Sequence, residues 1–161
     1  MVAIYLGYQL TVAVPPAEDF TLKMTIEVAN PNGSFNAVRP PVNGIGVSGG
    51  VWNFHQYDSL GIGKRYPIFV LSNVTPPGYF LIHVRSNVLR NYTLTDFFNV
   101  WGETLSPSYT LGIASQPGNG LLWSMCVGVP PNQRFGEWGN QTLTKDMFIG
   151  LLYANLDCGG A

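Results

Sequence analysis

The sequence predicts a mainly β fold with one short amphipathic helix near residues 94–101 and a long strand at the N-terminus. Three observations point there. Hydrophobic residues make up 46% of the 161 positions and charged residues 11%, where globular domains usually carry about a quarter charged. Nineteen glycines and twelve prolines supply the turn points that many short strands require. Apolar residues also recur mostly at a period of two, the spacing of a strand with one face buried.

The first fourteen residues show that period without interruption. Val2, Ile4, Leu6, Tyr8, Leu10, Val12 and Val14 occupy one parity, while Ala3, Tyr5, Gly7, Gln9, Thr11 and Ala13 occupy the other. No charge breaks the pattern, and Pro15-Pro16 ends it because proline has no N–H to give a ladder. The stretch lacks the basic start and small-residue cleavage site of a secretory leader. It reads as a strand extension over 1–16, followed by a single β-rich domain over 17–161. A ribbon this apolar has to be covered, by its own sheet or by a neighbour's.

Phe20, Leu22, Met24, Ile26 and Val28 then alternate with Thr21, Lys23, Thr25 and Glu27, which predicts a half-exposed strand. Asn30-Pro31-Asn32-Gly33 stops it with turn residues. Residues 34–50 read as irregular, and 51–63 as a short helix or structured loop. Strands are expected over 67–74 and 79–85, around the turn Pro76-Pro77-Gly78. Leu94, Phe97, Phe98 and Trp101 share one helical face; Thr93 with Asp96 forms a capping pair and Gly102 a stop. That aromatic stripe is a core contact. A long connection over 107–120 leads to a strand over 121–129, with Trp123, Met125, Val127 and Val129 on one face. Loop and turn over 132–146 precede a last strand over 147–153. No stretch reaches the roughly 18 apolar residues of a membrane helix, so no membrane span is expected in the mature chain.

The net charge of −1 does not fit a nucleic-acid partner, which calls for a basic surface. Cys126 and Cys158 pair in one disulfide or remain two buried thiols. Asn32, Asn73, Asn91 and Asn140 each begin an N-x-[ST] acceptor for an N-linked glycan, with Pro76 weakening the second. These sequons and the composition favour an extracellular address.

Chemistry-bearing patterns are sparse. The two histidines, His55 and His83, lie in no metal-spaced motif. With Asp58, and with Cys126 or a methionine, they form the candidate set for copper or zinc, against the alternative of two structural histidines. Glu103 and Glu137 are scattered acids rather than a glycosidase pair. No GxSxG elbow is present, and Gly44 to Gly49 lacks the βαβ setting of a dinucleotide loop. Trp52, Tyr57, Tyr79 and Trp138 could form a sugar platform or simply pack. No catalytic residue and no cofactor is therefore expected, and the chain does not read as an enzyme.

Four blocks carry a partial resemblance. They are Trp52-Asn53-Phe54-His55; Asp58 with Gly61-Ile62-Gly63; His83-Val84-Arg85-Ser86-Asn87; and Tyr92-Thr93-Leu94-Thr95-Asp96-Phe97-Phe98-Asn99-Val100-Trp101-Gly102. With the looser closing strands, residues 51–153 resemble a poorly characterised family of small extracytoplasmic archaeal and bacterial domains. That resemblance implies an extracytoplasmic address and a β-grasp-like sheet with one helix, as the alternative to a β-sandwich. The family's His-rich H-T-H-D block is replaced here by Pro67-Ile68-Phe69-Val70-Leu71-Ser72-Asn73, so only His55 and His83 match its histidines.

The leading expectation is a structural subunit of a cell-surface, pilus-like filament. In it, residues 1–14 act as a donor strand that completes the sheet of the next copy, so the partner is the chain itself. The alternatives are a secreted β-domain holding a metal ion or glycan, and a virion or particle structural protein.

Overall fold

The computed structural model describes residues 15–71, 78–129, 132–154 and 158. The expected donor strand over 1–14 and the sequon at Asn73 lie outside them.

The fold is mainly β, with one α-helix. The longest strand, β1 (Glu18–Ala29), begins two residues after Pro15-Pro16. Its even parity buries Leu22, Met24 and Ile26 at no more than 1% exposure, while Lys23 is exposed. This is the alternation read from the sequence. A tight turn at Asn30 to Ser34 returns the chain along β2 (Phe35–Ala37). Strands β3 (Ile45–Val47), β4 (Arg65–Val70) and β5 (Phe80–Ser86) follow, then helix α1 (Leu94–Trp101). The two-residue strands β6 (Tyr109–Thr110) and β7 (Ile113–Ala114) form a hairpin of their own. Strands β8 (Leu122–Val127), β9 (Arg134–Phe135) and β10 (Phe148–Ala154) complete the chain.

One mixed sheet runs in the order β3-β4-β5-β1-β10-β8-β9, with β2 beside the end of β1. Its centre is the parallel pair β1 and β10, with Ile26 opposite Leu151, and every other pairing is antiparallel. The four longest neighbours thus read β5-β1-β10-β8. A parallel central pair sits between two antiparallel flanks, with the helix between the two halves in sequence. That is the β-grasp arrangement rather than a sandwich.

Helix α1 covers one face of the sheet. Leu94, Phe97, Phe98 and Val100 are at most 1% exposed, and Phe97 lies 6.4 Å from Phe80 and 5.8 Å from Trp101 between ring centroids. The expected cap is present: Thr93 Oγ1 accepts from the Asp96 N–H, and Asp96 Oδ2 accepts from the Thr93 N–H at 2.9 Å. Gly102 ends the helix at φ +83°, a left-handed conformation that side chains resist. Asn53 Nδ2 donates to the Trp101 carbonyl at 2.9 Å and occupies the space a Cβ at 102 would need.

Several expectations need correcting. Residues 34–50 hold β2 and β3 rather than being wholly irregular, and 107–120 holds the β6–β7 hairpin. In 51–63 the only helical turn is a single 3-10 turn at Asp58–Leu60. Loop 132–140 contains β9. The fourth strand starts at Arg65, with Pro67 inside it; the register between β3 and β4 shifts there, so the missing N–H falls where no regular ladder runs. Among the described residues no helix is long and apolar enough to cross a membrane.

Candidate functional site

The sheet divides the metal candidates. Phe80, Ile82 and Val84 of β5 are buried on the helix side, so His83 points to the opposite face, where its ring stacks on Phe69 at 4.9 Å. His55 sits in loop 52–62, stacked 5.8 Å from Trp52, whose ring meets Tyr66 edge-on at 6.1 Å. Tyr66 shares the buried parity of Ile68 on β4. His55 therefore lies over the helix side and His83 on the other. Cys126 is disulfide-bonded to Cys158, which removes it as a ligand and settles which cysteine alternative holds. Among the described residues no three His, Cys, Asp or Glu side chains gather. The set of His55, His83 and Asp58 is not brought together.

What the structure does assemble is smaller. Asp58 accepts from Trp52 Nε1 at 3.1 Å through one carboxylate oxygen, and its other oxygen lies 2.8 Å from His55 Nδ1. A carboxylate only accepts, so this contact places the imidazole proton on Nδ1 and leaves Nε2 as the free position. The His55 side chain is 65% exposed, so the pair is a surface feature. Beside it Arg90 stacks 3.9 Å above the Tyr57 ring and donates to the Tyr57 hydroxyl at 2.6 Å. Gly61 lets the loop close against β4, since a Cβ there would collide with the Arg65 carbonyl.

Beneath this loop the Tyr66 hydroxyl is buried, with no well-aligned hydrogen bond among the described residues. Burial first, then Asp96, Tyr57 and Asp58, push its phenol well above the usual tyrosine range, opposed by the Tyr57 backbone N–H. Burial also raises Tyr92, whose hydroxyl donates to Ser86 Oγ at 2.9 Å. Glu18, at the start of β1, is raised by burial against a hydrogen bond from the Arg90 backbone. Sequence reading missed the Tyr66, Arg90 and Glu18 roles, because nothing in their local pattern shows which loop closes over them.

Burial lowers His83 below the ordinary imidazole value, Arg65 lowers it further, and Asp19 partly offsets both. The folded chain therefore holds this proton less tightly than the unfolded chain. Stability from this group is present above about pH 6.5 and falls as pH drops below that value. We expect the thermal midpoint to decline between pH 7.5 and 5, and the decline to be shallower in His83→Gln. A His83 NMR titration midpoint above 6.5 would contradict the assignment.

Of the sequons, Asn32, Asn91 and Asn140 are exposed. Asn32 caps the β1–β2 turn, its side-chain oxygen accepting from Ser34 Oγ at 2.7 Å. Asn91 and Asn140 precede Thr93 and Thr142, which face each other in an isolated bridge at the start of α1. Trp52 and Tyr57 are partly buried in the loop just described, and Trp138 lies in a 3-10 turn contacting α1, so these aromatics pack as much as they display. Tyr79 stands apart, with the Lys23 ammonium 5.1 Å above its ring. Glu103 follows the end of α1 and Glu137 precedes the 3-10 turn at Trp138–Asn140, so they belong to different loops.

The outer edge of β8 is the other notable surface. Strand β9 covers it at Cys126 and Val127, the Gly136 N–H donates to the Met125 carbonyl at 2.9 Å, the Trp123 N–H donates to Ser115 Oγ at 3.1 Å, and Gln116 bridges to Leu121. Leu122 and Phe135 stand 43% and 62% exposed along it.

No family model, curated protein or solved structure matches the chain. The resemblance drawn from residues 51–153 rests on the quoted blocks alone.

Proposed function

We propose that the chain is a structural subunit of an extracellular filament, in which residues 1–14 of each copy add as a strand to the sheet of the next. The observation that carries this reading is the occupancy of β1. The strand is paired with β5 over Glu18–Met24 and with β2 over Glu27–Ala29 on one edge. On its other edge it pairs with β10 over Lys23–Val28. The remaining edge, Glu18–Leu22, is already partly used, because the Thr21 carbonyl accepts from the Asp146 N–H at 2.9 Å. Among the described residues β1 leaves no free edge as long as the apolar ribbon, and in this reading the ribbon finds its edge on a neighbouring copy.

Strand addition supplies backbone hydrogen bonds, and alternate side chains supply the fit. A head-to-tail joint that does not close yields a filament. A disulfide that fixes the tail to β8 and three exposed sequons support an oxidising, extracellular setting.

Deleting residues 1–14 should convert assembled material into monomers, or into small aggregates of a destabilised domain, as read by light scattering and negative-stain microscopy. Polymers of unchanged length after the deletion would refute the reading.

A further inference from the structure

Resting on the extracellular reading, we propose that Asn32, in the turn between β1 and β2, is where the folded chain accepts an N-linked glycan, and that folding closes Asn91 and Asn140 to the same transfer.

A transferase acting on folded protein has to reach a whole acceptor tripeptide, because the hydroxyl two residues on belongs to the motif as much as the asparagine does. All three asparagines are exposed, but their tripeptides differ. Asn32, Gly33 and Ser34 are exposed throughout, as are Pro31 before them and Phe35 after. In the other two the middle residue is buried, Tyr92 at 1% exposure and Gln141 at 4%. Those two tripeptides also hold each other. Around the Thr93–Thr142 bridge, the Leu143 N–H donates to the Tyr92 carbonyl at 2.8 Å and the Leu94 N–H to the Gln141 carbonyl at 2.9 Å. The Thr93 hydroxyl is committed as well: it donates to Asp96 Oδ2 at 3.1 Å and accepts from the Asp96 N–H at 3.4 Å. Freeing either tripeptide means parting this bridge, and for Asn91 also lifting Tyr92 from the core and uncapping α1.

The turn at Asn32 needs no such opening, because it is held by bonds of its own. The Gly33 N–H donates to the Asn30 carbonyl at 3.0 Å, the Asn30 N–H to the Ser34 carbonyl at 2.7 Å, and Asn30 Nδ2 to Ser34 Oγ at 2.9 Å. Asn32 Oδ1 accepts from the Ser34 N–H at 3.1 Å and from the Ser34 hydroxyl at 2.7 Å. The motif's hydroxyl thus lies against the acceptor amide through Oδ1. Nδ2, the nitrogen to be modified, makes no hydrogen bond among the described residues. Gly33, at φ +81°, has no atom within 4 Å of where a Cβ would stand, so the turn faces open space. In the transfer a bond forms between Nδ2 and C1 of a sugar carried on a lipid phosphate. The C1–O bond to that phosphate breaks, its electron pair leaves with the phosphate, and an Nδ2 proton passes to the transferase.

The test incubates the oxidised full-length chain with a single-subunit oligosaccharyltransferase of N-x-[ST] specificity and a lipid-linked oligosaccharide, beside synthetic peptides of the three sequons. Peptide mapping by mass spectrometry assigns each glycan to its asparagine. Asn32 should be modified in the folded chain at close to its peptide rate. Asn91 and Asn140 should be slowed roughly a hundredfold or more against theirs, because modification there tracks a rare local opening. Asn32→Gln should abolish the product at this turn and Ser34→Thr should keep it, both with the wild-type thermal midpoint. An unmodified Asn32 in the folded chain, or modification of Asn91 or Asn140 there as fast as of Asn32, overturns the assignment. The two readings fail separately. A chain glycosylated at Asn32 that never polymerises sinks the filament and keeps this site, whereas polymers of a chain that takes no glycan at Asn32 do the reverse.

Discussion

Phe97→Ala is expected to lower the unfolding free energy by about 3–5 kcal/mol. Phe97 is fully buried, and its ring touches Phe80 on the sheet and Phe98 and Trp101 on its own helix. Removing it opens a void between α1 and β5 that the stiff neighbouring rings cannot fill, so the transfer and cavity terms add. Domains of this size are stable by about 5–15 kcal/mol, and the variant should therefore be only marginally folded at room temperature. Urea denaturation followed by tryptophan fluorescence measures the change. A loss below about 1 kcal/mol would mean that the helix does not depend on this contact.

The second large effect is expected from the disulfide. Cys126 and Cys158 are separated by 32 positions, and opening a loop of that size costs about 3–4 kcal/mol on the chain-entropy model. Replacing both with alanine avoids leaving a polar atom in the nearly buried Cys126 site. The double variant should unfold at markedly lower urea, and wild type under reducing conditions should match it. Equal midpoints for oxidised and reduced wild type would refute this role. The bond also ties Cys158 to β8, so its loss should loosen the end of that strand.

Strands β1, β5, β8 and β10 were legible because each sets an apolar parity against a polar or exposed one for six residues or more. Helix α1 was legible because Leu94, Phe97, Phe98 and Trp101 repeat at its own period between a capping pair and Gly102. The short strands were not. Phe35–Ala37 and Arg134–Phe135 are exposed throughout, so burial imposes no pattern on them and they exist only because a longer partner offers backbone groups. Pro67 concealed the start of β4 for a similar reason, since the bulge that tolerates it is a property of the pairing with Ile45 and Val47. At the candidate site, His55 and Asp58 were named only as members of a metal set with His83, and their direct contact is a finding of the structure. Their separation from His83 depends on which sheet face each side chain takes, and that is decided by tertiary register rather than by local sequence.

The adjacency of β1 and β10 governs when this molecule can come into being. Lys23 is opposite Phe148, roughly 125 positions later, so the middle of the sheet cannot zip until β10 has been synthesised. Such long-range pairing is slow to nucleate, whereas the antiparallel pairings of β1 with β2 and β5 need only the chain up to Ser86.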